Sequence, residues 1–172
     1  REKAGPPFTR PELAVLLAYA KIDLYDALLE TGVPDDAYLG RELFRYFPQP
    51  MQESYAAEIE AHPLRREIIA TMLSNSMINR GGPTLLPRIA DRTGAGVADI
   101  AAAFAAARDA FEMTELNAAI DALDAKGPGS VQLDLYAAVQ HLLHQAMVWF
   151  LRNADLGSGL APIIGRYREG IR

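Results

Sequence analysis

The sequence predicts an all-α protein, a bundle of about eight helices joined by short connections. Apolar residues recur at helical spacing in one segment after another, and no stretch shows the sustained alternation of apolar and polar residues that is typical of a strand. Proline near the start and glycine just past the end delimit several of these segments. With 172 residues the chain has the usual size of one domain. We therefore expect a single helical domain over 1–172, with a lead segment over 1–8 and a looser tail over 154–172.

The first helix is predicted to begin at Thr9 and to end near Glu30. Thr9 and Glu12 have the spacing of a capping box, and Pro11 suits the first helical turn. Its inward face is predicted to consist of Leu13, Leu17, Ala20, Leu24 and Leu28, widened by Leu16, Tyr19 and Ile22. Shorter helices follow over about 35–46 and 50–61, separated by prolines at 48 and 50.

The segment from Leu64 to Arg80 is predicted to be a buried helix around which the other helices are arranged. It lies between Pro63 and the pair Gly81-Gly82, which suit a helix start and a helix end. At 100° per residue, apolar side chains cover most of its circumference, so the helix needs neighbours on nearly all sides. One face continues into two asparagines that need hydrogen-bond partners if they are buried; it consists of Leu64, Ile68, Met72, Asn75 and Asn79.

The second half of the chain predicts four more elements. A short helix over about 83–92 precedes an alanine-rich helix over 97–111, whose small side chains let a neighbouring helix approach closely. A short helix over about 113–123 and a glycine-rich loop follow. The longest helix then runs to about Asn153 with a near-heptad stripe of Leu135, Val139, Leu142, Ala146 and Trp149.

The composition excludes several classes of function. The net charge of -5 excludes a basic nucleic-acid binder, and the 50% hydrophobic content excludes a disordered tail. Polar residues interrupt the long uncharged runs, which argues against membrane spans. Without cysteine there is no disulfide, no cysteine zinc site and no thiol nucleophile. We expect a cytoplasmic protein that binds neither nucleic acid nor a membrane.

Motifs for catalysis and cofactor binding are missing. The chain has no dinucleotide fingerprint after a strand, no phosphate-binding P-loop, no H-E-x-x-H and no G-x-S-x-G. His141 and His144 have a spacing that could share a metal, but no carboxylate lies one turn away, so we favour solvated or interface histidines. His62 precedes a proline and is predicted to cap or pack. We expect no catalytic residue, no cofactor-binding residue and no metal ligand in this chain.

The polar start of the helix over 64–80 is a candidate contact site. Arg65 and Arg66 place positive charge at the unfavourable end of the helix dipole, next to Glu67. The arginines therefore need partners outside their helix. These could form an anion site or an intersubunit salt bridge; we favour ordinary pairing with Glu58 or Glu60.

The polar end of the same helix is a second candidate. Asn75, Asn79 and Arg80 could form a buried hydrogen-bond network or a helix cap with Gly81, or they could line a ligand site. We favour the network or the cap.

Several segments form a recognisable set. They are R-P-E-L-A-V-L-L-A-Y-A-K at 10–21, E-L-F-R-Y-F-P at 42–48, H-P-L-R-R-E-I-I-A-T at 62–71 and N-S-M-I-N-R-G-G at 75–82, with T-G-A-G-V-A-D-I at 93–100 and A-A-R-D-A-F at 106–111. Together they resemble the C-terminal helical region of the large bacterial NAD-specific glutamate dehydrogenases. The resemblance covers roughly 8–153 and fades after Asn153.

The resemblance implies a parent enzyme that oxidatively deaminates L-glutamate to 2-oxoglutarate and ammonium with NAD. In that family the catalytic lysine and aspartate lie upstream of this region, so no catalytic residue carries over. The resemblance implies a noncatalytic domain that packs on the catalytic region of the same chain and supports assembly or regulation of a homo-oligomer. The expected interdomain or interface contacts are Arg65, Arg66, Glu67, Asn75, Asn79 and Arg80. The alternatives are a free-standing helical adaptor with a groove for a partner helix and, third, a metal-dependent helical-bundle enzyme.

Overall fold

The structure is a computed structural model that describes residues 8–124 and 126–171. Its α-helices are α1 (Arg10–Leu29), α2 (Gly40–Tyr46), α3 (Gln49–Ser54), α4 (Ala56–Glu60), α5 (Arg65–Gly81), α6 (Leu85–Thr93), α7 (Val97–Ala110), α8 (Met113–Asp121), α9 (Gly129–Asn153) and α10 (Leu160–Ile171). Three short 3-10 helices cover Val33–Asp35, Ala37–Leu39 and Leu156–Ser158.

The predicted all-α class is confirmed. Over the described residues there is no strand, and eight of the ten α-helices have 7 residues or more. No helix in this part of the chain is both long and apolar enough to cross a membrane. The predicted lead segment over 1–8 lies, except for its final residue, outside the described residues.

The predicted start of α1 is also confirmed. The Thr9 hydroxyl accepts a hydrogen bond from the Glu12 backbone N–H, and the Glu12 carboxylate accepts one from the Thr9 backbone N–H at 2.7 Å. Two N–H groups that the helix leaves unpaired are satisfied in this way.

Helix α7 is the most deeply buried helix among the described elements. Every residue from Ala103 to Ala110 is buried, and α7 packs against α6, α8, α9 and α10. Alanine side chains permit this close packing because they keep the helix surface narrow. The predicted packing role of this helix is confirmed.

Helix α5 is deeply buried on one face and only partly buried on the other. Ile69, Leu73 and Met77 are fully buried, and the helix packs mainly on α1 and α2. On the other face burial decreases along the helix, from buried Ile68 to exposed Asn79. The expectation that α5 has neighbours all round is therefore wrong, because a cavity lies beside the second half of this face.

The stripe predicted for α9 is only partly confirmed, because Ala146 is buried and Leu142 and Val139 are half-buried. Leu135 and Trp149 of the expected heptad stripe are 38% and 45% exposed, whereas Leu143, Met147 and Phe150 are buried. A heptad stripe describes a seam with a single partner helix. Helix α9 instead contacts α5, α6, α7 and α8, so its second half is buried over more than one face.

Residues 160–171 differ from the predicted looser tail because they form α10. Leu160, Ile163 and Ile164 are buried, and α10 packs on α7. The Arg168 guanidinium donates hydrogen bonds of 2.8 and 3.0 Å to the Glu112 carboxylate. The i, i+3, i+4 spacing of these three apolar residues is typical of a helix. The nearby glycines instead favoured the prediction of a looser tail.

We expect the Leu73→Ala variant to lower the free energy of unfolding by about 2–5 kcal/mol, because truncation of a fully buried leucine leaves a cavity in the core. Urea denaturation of the 172-residue chain measures this change. Leu133→Ala is the matched control: this side chain is 69% exposed, so the same truncation costs about 0.5 kcal/mol or less. Equal losses for the two variants would contradict the described core.

Candidate functional site

A cavity of about 740 Å³ opens between α2, α5, α7, α8 and α9. Its apolar wall includes Met72, Met113, Leu133 and Leu143. Polar side chains from all five of these helices also line it, including Arg45, Asn79, Arg80, Arg108, Asn117, Tyr136 and Gln140. The cavity therefore combines apolar walls with hydrogen-bonding groups, which is the usual character of a small-molecule site.

The polar end of α5 lies at this cavity. Asn79 and Arg80 are exposed side chains of its lining. Arg80 donates a hydrogen bond of 3.1 Å from Nη1 to the Asn117 side-chain oxygen, and buried Asn117 donates from Nδ2 to the Met113 carbonyl at 2.6 Å. Helix α8 thereby holds the guanidinium in place.

The favoured prediction of a buried asparagine network is wrong. Asn75 is half-buried and lies outside the cavity lining, and neither its amide nor that of Asn79 forms a side-chain hydrogen bond within the described residues. The helix cap is formed by the backbone, because the Gly82 N–H donates to the Ile78 carbonyl at 3.0 Å. Glycine suits this position because its φ is 87°.

A cluster of buried charged side chains lies next to the cavity, and Glu42 and Arg108 of this cluster belong to the lining. Arg108 donates from Nη2 to Glu42 Oε1 at 2.7 Å, and from Nε and Nη2 to the Asp109 carboxylate at 2.8 and 2.9 Å. Arg45 donates to the same Glu42 oxygen at 3.2 Å, and Arg41 lies 3.5 Å from Asp109. Each buried charge is thus paired, as burial in a low-dielectric interior requires.

The cluster shifts the protonation of its members. Burial by itself raises the pKa of Asp109, but the hydrogen bonds and charge of Arg108, with the charge of Arg41, outweigh it and hold the pKa below its usual value. Burial lowers the pKa of Arg108, yet Asp109 and Glu42 together raise it above its usual value. Burial, then the charge of Asp109, raises the pKa of Tyr38. All three side chains stay in their usual charge states near neutral pH.

The arginines at the start of α5 form contacts within the chain. Arg66 pairs with Asp35 and donates from Nη2 to the carbonyls of Leu29 and Thr31 at 2.9 and 3.0 Å. Arg65 donates to the Pro34 carbonyl at 3.2 Å. The favoured pairing with Glu58 or Glu60 is therefore wrong. The arginines hold the segment after α1, whose carbonyls need donors at a helix end.

Glu67 completes the list of predicted contact residues. Its carboxylate forms no hydrogen bond or ion pair with the described residues, and its side chain is half-buried. Its backbone carbonyl accepts from the Thr71 hydroxyl at 2.7 Å. The structure thus separates the six predicted residues, because only Asn79 and Arg80 lie at the cavity.

Each of the three histidines contacts another residue of the chain. His62 Nδ1 accepts from the Leu64 N–H at 3.1 Å just before α5, and its ring lies 5.7 Å from the ring of Phe47, which agrees with the predicted capping or packing position. His141 is exposed next to Gln145. His144 is buried and donates from Nε2 to the Gly81 carbonyl at 3.1 Å, so the prediction of a solvated or interface position is wrong for this residue. Burial lowers the pKa of His144 more than the Gly81 carbonyl raises it.

The first helix presents an apolar face to the outside. Leu24 and Leu28 are buried as predicted. Leu13, which was expected on the inward face, is exposed, and so are Leu16, Tyr19 and Ile22, which were expected to widen that face. Val15, Tyr19 and Ile22 lie opposite the buried leucines at 100° per residue and are 56%, 63% and 53% exposed. We refer to these three residues as the outer face of α1.

Comparison with known protein families identifies the chain. The family described as "Glutamate dehydrogenase, C-terminal" matches residues 5–172. The chain belongs to this family. The resemblance noted in the helical motifs is thereby confirmed.

Members of the glutamate dehydrogenase C-terminal family with close sequence similarity are NAD-specific glutamate dehydrogenases. The enzyme of Pseudomonas aeruginosa is 38% identical over 89% of this chain and 9% of its own length. The enzyme of Halomonas elongata is 41% identical over 99% of this chain and 11% of its own length. The enzyme of Mycobacterium tuberculosis is 34% identical over 100% of this chain and 10% of its own length. The chain thus spans about a tenth of the length of these curated relatives.

Sequence reasoning missed the charge cluster of this glutamate dehydrogenase C-terminal domain. One signal was present: Arg108 and Asp109 interrupt a run of alanines in a helix predicted to pack closely against a neighbour. Charges at such positions need partners from other helices, but the sequence does not specify that Glu42 provides one.

We expect the Asp109→Asn variant to lower the free energy of unfolding at pH 7 by about 3–5 kcal/mol, because it leaves the buried Arg108 with one charged partner fewer. The pKa of Asp109 is depressed in the folded state, so its contribution is complete above about pH 4 and is lost as the pH falls through the folded-state value. The difference between the variant and the original chain therefore shrinks below about pH 4. Urea denaturation between pH 3 and pH 7 measures it.

Asp134→Asn is the matched control for this variant, because Asp134 is exposed on α9. We expect it to change the free energy of unfolding by about 0.5 kcal/mol or less at each pH. A loss for Asp109→Asn that does not change with pH would contradict the assigned protonation state.

Proposed function

We propose that this chain is a noncatalytic C-terminal domain of a cytoplasmic NAD-dependent glutamate dehydrogenase. The parent enzyme oxidatively deaminates L-glutamate to 2-oxoglutarate and ammonium, and NAD binds elsewhere in the polypeptide. The domain packs on the catalytic region of the same polypeptide and supports assembly or regulation of a homo-oligomer. Family membership and the known activity named for the relatives, NAD-specific glutamate dehydrogenase, support the parent activity.

The outer face of α1 is the observation that carries the packing role. Val15, Tyr19 and Ile22 expose apolar area on a helix whose other side is already packed on α5. Exposed apolar patches of this kind mark surfaces that bind other parts of a protein. Coverage of this face by another protein surface removes that area from water, which stabilises the assembly.

The occupant that we propose for this face is the catalytic region. The chain corresponds to about a tenth of each relative, and the family is the C-terminal part of glutamate dehydrogenase. Most of such a polypeptide therefore precedes this domain, and α1 is the described helix nearest to it in sequence. A covalent connection gives this region a high effective concentration at the face of α1.

We expect the double variant Val15→Glu/Tyr19→Glu of the full-length enzyme to increase hydrogen exchange across α1 and to lower either the oligomer mass or the turnover. Two buried charges in an apolar contact are unfavourable without partners. Hydrogen-exchange mass spectrometry, light scattering and NADH formation measure the three quantities. Both side chains are exposed in the isolated domain, so the domain itself is expected to keep its thermal stability.

The matched control for this double variant is Val131→Glu/Leu135→Glu. These residues are exposed apolar side chains with the same four-residue spacing on α9. We expect this control to leave exchange across α1, oligomer mass and turnover unchanged. Equal effects of the two double variants would contradict a role that is specific to α1.

We expect deletion of the whole domain from the full-length enzyme to change the oligomer mass, the turnover or both. The remaining catalytic region would then expose the surface that α1 covers. Light scattering and NADH formation from L-glutamate measure the outcome. Unchanged values for both would refute the assembly and regulatory role, and turnover by the deleted domain alone would refute the noncatalytic role.

Occurrence of the domain as its own reading frame, without a dehydrogenase, would favour a helical adaptor.

A further inference from the structure

We propose that the cavity beside α5 binds an organic anion with one or two carboxylate or phosphate groups on an apolar body. This inference goes beyond the packing role of the domain. It depends on the orientation of two arginines, on the charge of the cavity lining and on the apolar wall next to them.

Two guanidinium groups are held in place at the cavity. Arg45 donates from Nη1 to Glu42 at 3.2 Å, and Arg80 donates from Nη1 to Asn117 at 3.1 Å. Both acceptors are buried side chains, so each guanidinium is anchored at one N–H while its other edge stays exposed. The other N–H donors of Arg45 and Arg80 form no hydrogen bonds with the described residues. A planar guanidinium that is oriented in this way is suited to a carboxylate or a phosphate.

The cavity lining has a positive charge balance. Its charged members are Arg45, Arg80, Arg108 and Glu42, and their sum is +2. Outside the lining, Asp109 pairs with Arg108 and Arg41 pairs with Asp109, so these two charges cancel. The carboxylate of Asp121, which contacts the Tyr136 hydroxyl of the lining, reduces the sum to +1. Because the whole chain carries a net charge of -5, a positive site is a local departure that favours an anion.

The rest of the lining fits an apolar body. Met72, Met113, Leu133 and Leu143 lie in the wall, and methionine side chains adapt to ligands of different shape. The cavity volume of about 740 Å³ is in the range of small-molecule sites and far exceeds the volume of an inorganic anion. A ligand with both an anionic group and an apolar body uses both parts of the cavity.

Hydrogen-exchange mass spectrometry of the full-length polypeptide, titrated with small probes, tests this site. Phenylacetate and phenyl phosphate represent the two anionic groups, phenylacetamide is a neutral analogue, and inorganic phosphate lacks the apolar body. We expect at least one of the two aromatic anions to slow exchange in α5 and α9 at the cavity. The arm with the lower dissociation constant identifies a carboxylate or a phosphate as the preferred group.

Variants connect this protection with the arginines. We expect Arg45→Gln and Arg80→Gln each to raise the dissociation constant about tenfold or more, because each removes charge-assisted hydrogen bonds. Arg88→Gln is the matched control, because Arg88 is exposed on α6 outside the cavity lining, and we expect it to leave the dissociation constant unchanged. Unchanged exchange in helices away from the cavity shows that each variant is folded.

Three outcomes would overturn the proposal. The first is no protection by either aromatic anion at concentrations up to about 10 mM. A dissociation constant above that concentration is weaker than ordinary small-ligand binding. The second is equal binding of phenylacetamide, which would leave the arginines without a role. The third is binding of inorganic phosphate as tight as that of phenyl phosphate, which would leave the apolar wall without a role. None of these readouts depends on oligomer mass or turnover, so the packing role stands or fails separately.

Discussion

The close packing around α7 is the constraint on which the rest of the structure depends. The alanines of this helix allow α6, α8, α9 and α10 to pack directly against it. Because these four helices pack on the same helix, the surface of α7 determines the position of each of them. Larger side chains at these positions would push the helices apart and cost about 1–3 kcal/mol each. The cavity lies beside this helix, and Phe104 and Arg108 of α7 belong to its lining.

The charge cluster connects the packing of the interior with the proposed anion site. Arg108 and Asp109 lie on α7 itself, so their burial requires a partner from α2, and Glu42 supplies it. Glu42 then also holds Arg45 at the cavity. In the same way, buried Asn117 holds Arg80. The buried side chains Glu42 and Asn117 thus also orient the exposed arginines at the cavity. The position of these arginines therefore depends on the buried groups.

Local patterns in the sequence predicted the local structure well. The capping box at Thr9 and the alanine-rich α7 were predicted correctly because both depend on residues within a few positions. The partners of Arg66 lie on a segment more than 30 residues away, so its sequence neighbours pointed to the wrong carboxylates. The stripe predicted for α9 was only partly correct because several helices share its surface. Asn79 and Arg80 were identified as candidates, but their cavity depends on α2, α8 and α9 and is visible only in three dimensions.

The position of α10 has a consequence for the order of folding. Leu160 donates from its backbone N–H to Asp36 at 3.3 Å, and α10 covers α7 with side chains that are buried only when both helices are present. During synthesis, α7 is therefore made long before the helix that covers it leaves the ribosome. Contacts between distant parts of a chain form late, since they require the closure of long loops. Until then the alanine surface of α7 stays partly exposed to water, and exposed apolar surface of this kind makes a partly folded chain prone to aggregation.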